Sequence, residues 1–141
     1  MTLHDLLVTG NVLSLFCDFT TPPKQKFLIL VAINPQLLFF IINSELNDFR
    51  SQGEAREHQV ELQNPPHTFL TKQNSWADCF KVIRQFDAQE ISRQIIQQKV
   101  SGCSCIGAID KSAREAIRRV VNNSRALEKR FKDSILMDLP A

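Results

Sequence analysis

The residues able to do chemistry in this chain sit where apolar segments begin or end. Lys24 and Lys26 lead into Phe27-Leu28-Ile29-Leu30-Val31-Ala32-Ile33. An ammonium at such a strand end suits phosphate contact or stabilisation of a pentavalent transition state, with a solvated strand end as the plainer alternative. Asn43-Ser44-Glu45 closes the next apolar run. A hydroxyl beside a carboxylate there fits a phosphate or a ribose, or else ordinary turn chemistry in which Asn and Ser bond their own backbone. Asp78 and Lys81 share the segment from Trp76 to Phe86, as base and charge stabiliser for a transesterification or as a surface ion pair. His58 and His67 bracket a short alternating stretch. Imidazole is the side chain best matched to proton transfer near neutral pH, and exposed polar surface is the other reading. Trp76 offers a ring for base stacking or for a core. Arg50 and Arg56, in the polar stretch between Asn43 and Gln59, supply further cations for RNA contact.

The stronger signatures of catalysis are missing. The four glycines are scattered rather than gathered into a phosphate loop, and neither a paired-histidine motif nor a nucleophile elbow occurs. Cys103-Ser104-Cys105 has the wrong spacing for a zinc knuckle, and no second pair or nearby histidine completes one. No metal and no cofactor are expected. The net charge of +2 on 141 residues is too even to argue for nucleic acid by itself, so a polyanion would need a local basic patch.

Composition also sets the class of protein. An apolar share of 43% and a charged share of 23% suit one globular domain with its own core. Met1 to Val8 carries Asp5 where a secretion signal would place positive charge. The expectation is therefore a cytoplasmic chain whose Cys17, Cys79, Cys103 and Cys105 stay reduced. Neither apolar run approaches the roughly 20 residues that cross a bilayer, so no membrane association is expected.

The elements that must position these groups are strands first and helices later. Val12 to Phe16 reads as a strand, and Thr20-Thr21-Pro22-Pro23 as a loop. Phe27 to Ile33 and Leu37 to Ile42 read as two buried strands turned at Asn34-Pro35, the central hairpin of a closed or tightly curled sheet. Asn43 to Gln59 is a long loop with room for a helical turn, His58 to Leu62 an edge strand, and Trp76 to Phe86 a further strand. A short helix starts at Asp87 to Glu90, and Gly102 to Ile106 is a connection. From Asp110 to Phe131 a single long amphipathic helix is expected, capped by Ser112 with Glu115. Its arginines, Arg114, Arg118 and Arg125, form a solvated face or a docking surface for RNA or an acidic partner.

The order of these segments resembles the PemK/MazF-like toxins of toxin–antitoxin systems. The resemblance rests on Gly10-Asn11-Val12-Leu13-Ser14-Leu15, a Pro-containing loop, Lys26-Phe27 before Leu28-Ile29-Leu30-Val31, and a strand ending at Ser44. It continues through Phe69-Leu70, Gln73-Asn74-Ser75 leading into Trp76 to Asp87, and the closing helix. It implies an α+β, mainly β fold: an SH3-like curled barrel over about residues 10–86 and a helical part over about 88–132, in one domain. It further implies a homodimer that cleaves single-stranded RNA without a metal and is neutralised by a cognate antitoxin protein. Lys26-Phe27 stands where that family usually has Arg-Pro, and Ser44 matches its Ser or Thr. The family's Arg and Asp fall on Cys79 and Lys81, with Asp78 beside the first. A barrel that has lost catalysis and inhibits growth by binding protein or nucleic acid is the alternative.

Overall fold

The computed structural model describes residues 3–97 and 105–141. Among these, six strands form one antiparallel sheet: β1 (Asn11–Cys17), β2 (Lys24–Ala32), β3 (Leu38–Asn43), β4 (Gln59–Gln63), β5 (Asn74–Ile83) and β6 (Cys105–Ala108). They lie in the spatial order β4-β5-β3-β2-β1-β6. The helices are α1 (Leu3–Leu6), α2 (Gly53–Glu57), α3 (Ala88–Gln97), α4 (Lys111–Asn123) and α5 (Lys129–Asp138). The class is α+β, and the sheet curls at register shifts between Val12 and Leu13, between Leu30 and Ala32, and between Phe39 and Ile41.

Alternation along β2 explains why its apolar run is continuous. Ile29 and Val31 face one side and join Phe40, Ile42, Ala77 and Cys79 against Ile117 and Val121 of α4 and Ile135 of α5. Leu28 and Leu30 face the other side, with Leu13, Leu15, Phe39 and Ile83 against Leu6 of α1 and Ile91 of α3. A strand buried on both faces needs apolar residues at every position. Full burial of each such side chain is worth about 1.5–3 kcal/mol. The central hairpin, the edge position of β4 and the helix after Asp87 all follow the sequence expectation.

Three expectations change. The long helix from Asp110 to Phe131 is two helices, because Ser124 leaves the helical region with ψ 134° and turns the chain. Its hydroxyl oxygen accepts the N–H groups of Ala126 and Leu127, both at 3.1 Å, which competes directly with helix continuation. The second helix then runs on to Asp138. The cap is Asp110, whose carboxylate accepts from Ala113 N at 2.8 Å, rather than Ser112 with Glu115. Finally, Cys105–Ala108 is a strand paired with β1, where a connection was expected; Gly102, Cys103 and Ser104 lie outside the described residues.

Two arginines of the amphipathic segment are spent inside the fold, while Arg125 stays exposed. Arg118 donates to the carbonyls of Leu136 and Leu139 at the end of α5, and Arg114 to that of Ile109. Asp138 in turn accepts the N–H groups of Ile33 and Asn34, which ties α5 to the β2–β3 turn. No helix among the described residues is long and apolar enough to cross a membrane.

Candidate functional site

One face of the sheet changes character along its length. Leu28 and Lys26 alternate on the same side of β2, and across the ladder Leu28 pairs with Ile41, which pairs with Asp78. Moving outward, the aliphatic floor gives way to Lys24, Lys26, Asn43 and Asp78. These groups line a cleft of about 290 Å³ together with Arg50 and Lys81. Four cations, Lys24, Lys26, Arg50 and Lys81, thus surround one carboxylate.

Residues three apart on a regular strand face opposite sides, yet Asp78 and Lys81 share this cleft. The register of β5 explains how: Ile41 lies opposite Asp78 while Phe39 lies opposite Ile83. Two steps along β3 are thus matched by five along β5, and the irregularity returns Lys81 to the side of Asp78. The sequence expectation that this pair faces one cleft agrees with their common lining of it.

Asp78 is buried and hydrogen-bonded at both oxygens. Its Oδ2 accepts from Arg50 Nε at 2.6 Å, and its Oδ1 accepts from Gln59 Nε2 at 3.0 Å and from Phe80 N at 3.1 Å. A carboxylate so held serves as an anchor for Arg50. Arg50 reaches it from the loop after β3, where Asn47 Oδ1 accepts the Arg50 N–H at 2.8 Å in a side-chain turn. Lys26 is half-buried and donates to Asn43 Oδ1 at 3.1 Å. Burial lowers its ammonium below the ordinary lysine value, and the Lys24 and Arg50 charges push the same way. The Cys17 thiol beside it is raised to about 11, chiefly by burial.

The remaining sequence candidates divide around this cleft. Ser44 is exposed and lines an adjoining depression of about 160 Å³ that also contains Lys26, Phe27 and Ser75. Trp76 is half-buried on β5, paired between Asn43 and Glu61, and does not line the cleft. Arg56 is exposed on α2 and also lies outside the cleft lining.

His58 is not an acid–base group of the cleft; it is buried against the α4–α5 corner. The Glu54 carbonyl, 2.7 Å from Nδ1, can only accept, so that nitrogen carries the proton. The Ser124 oxygen already accepts two backbone N–H groups, so its hydroxyl donates to Nε2 at 2.6 Å. Both ring nitrogens are thereby consumed in joining α2 to the corner. His67 is buried too: it accepts the Asp110 N–H at 3.2 Å and donates to the Gln63 carbonyl at 3.1 Å, which secures the entry to α4.

A depression of about 800 Å³ on the other side is lined by His58 itself with Glu54, Glu57, Arg119, Asn123 and Arg125 among others. Its acids and arginines balance, whereas the smaller cleft concentrates one sign of charge, and that concentration selects it as the site. Sequence reasoning missed Asn47 and Gln59, which hold Arg50 and Asp78 in place. Asn47 carried a readable signal, an Asn three residues before the side chain it positions; Gln59 carried none. Among the described residues no group of three or more His, Cys, Asp or Glu is arranged to hold a metal ion. Compared with protein-family models, curated proteins and solved structures, the chain matches none.

Proposed function

We propose that this chain binds single-stranded RNA by its phosphodiester backbone, as a growth-inhibiting, toxin-like member of the SH3-like barrels. The observation that carries the reading is the convergence of Lys24, Lys26, Arg50 and Lys81 on one cleft whose carboxylate is already neutralised by Arg50. Clustered cations with a low-dielectric floor attract and hold phosphates. A homodimer, and an antitoxin protein that covers this cleft, belong to the same proposal.

Cleavage of the bound strand is the second reading, and Lys26 is the observation in its favour. Burial and neighbouring cations make it release its proton more readily than an ordinary lysine. A base toward a 2′-hydroxyl needs that property. Lys81 and Lys24 would then stabilise the charge that develops on the phosphorane. Asp78 already accepts three hydrogen bonds, so its part in this reading is to anchor Arg50.

Inducible expression in a bacterium tests both readings. The binding reading expects growth arrest, with RNA cross-linked to the wild-type chain and lost from a Lys26→Ala, Lys81→Ala double variant. The cleavage reading adds discrete new RNA ends, found by primer extension and absent with the double variant. Arrest that persists in that variant with no RNA bound would overturn both.

A further inference from the structure

We propose that Phe49 is a stacking platform for one nucleobase of the strand whose phosphates occupy the cleft; this rests on the RNA-binding reading above. Phe49 is 61% exposed in a chain that buries most of its large apolar side chains. A single exposed apolar side chain needs no explanation by itself, but this ring is held and its position is specific. Its centroid lies 5.8 Å from that of Phe80, and the Arg50 guanidinium lies 5.8 Å from the Phe49 centroid. Phe80 is in turn braced by the buried His58 ring at 5.1 Å. Arg50 and Lys81, the chain neighbours of these two phenylalanines, both line the cleft. The exposed ring therefore lies against the guanidinium of a residue that lines the cationic cleft, on a loop fixed by the Asn47–Arg50 turn.

That pairing of charge and aromatic surface identifies the occupant. Cations suit phosphates and an exposed π-face suits any base, so the two together select an unpaired strand over a duplex, whose bases are already stacked. Stacking on one ring of this kind strengthens binding about ten-fold.

Fluorescence anisotropy with two labelled ten-nucleotide probes tests the idea: oligouridine, and a base-free backbone of equal length and charge. Wild type is expected to hold oligouridine about ten-fold more tightly than the base-free strand. Phe49→Ala should erase that preference while leaving base-free binding unchanged, and Phe49→Trp should restore it. An unchanged preference in Phe49→Ala would overturn the platform and leave Phe49 to a protein partner. In that event Lys26→Ala, by weakening both probes, still upholds the cleft. Equal weakening of both probes by Phe49→Ala would mark a structural role and also overturn the platform. Binding of neither probe by wild type would overturn the cleft reading and the platform together.

Discussion

Arg50 Nε lies 2.6 Å from Asp78 Oδ2, and this pair joins the loop after β3 to β5 across the floor of the cleft. The Asp78 side chain is almost wholly buried, while Arg50 keeps a quarter of its surface in solvent. The bond thus fixes the carboxylate and leaves part of the guanidinium facing a ligand. Asp78→Asn separates anchoring from acid–base chemistry. It removes a charge-assisted bond, so stability should fall by about 1.5–3 kcal/mol in denaturant titration. It also frees positive charge in the cleft, so RNA affinity should rise several-fold. A variant that binds as wild type does but has lost cleavage would instead show that Asp78 acts as a base.

Lys26 gives the site a pH dependence with opposite signs for stability and for binding. Its unfolded value is the ordinary 10.5 and its folded value is lower. Between the two, the folded state carries fewer protons, so this residue makes stability rise with pH in that window. Its burial penalty is fully present below the folded value. Phosphate affinity runs the other way, weakening as pH climbs through the folded value, because a neutral amine attracts no anion. Lys26→Arg stays charged throughout. Its affinity for RNA should remain level over the alkaline range in which wild type declines. Parallel curves for the two proteins would contradict the assignment.

Ser124 is expected to matter for stability rather than for binding. Ser124→Ala deprives His58 Nε2 of its donor and leaves the Ala126 and Leu127 N–H groups without their acceptor. His58 is buried, and a buried polar group left unpaired costs about 1–3 kcal/mol. The midpoint of unfolding should fall accordingly while RNA affinity is retained. A loss of affinity at unchanged stability would place Ser124 in a ligand site.

How far the sequence foretold this arrangement depended on the range of the interaction involved. Periodicity identified β2 and β3, since burial on both faces leaves a continuous apolar run. Strand-end position drew attention to Lys24 and Lys26, which line one cleft with Asp78 and Lys81. The corner at Ser124 was hidden because helical periodicity resumes at Leu127 and Phe131 on the far side of the break. A serine in helical register looks unremarkable until its oxygen is seen capping the next turn. His58 lies outside the cleft for a related reason. Its fate is decided by a residue 66 positions away, and local sequence carries no trace of that contact. The Arg50–Asp78 bond, between residues 28 positions apart, is of the same kind.

Four cations holding phosphates in one cleft must make binding depend on salt. The affinity of a single-stranded RNA decamer should fall as salt rises, with a log–log slope of roughly −0.7 for each phosphate neutralised. For the cations that line the cleft this predicts a slope of about −2 to −3. Lys26→Ala and Lys81→Ala should each reduce it by about 0.7. A slope near zero, or one that neither substitution changes, would contradict the claim.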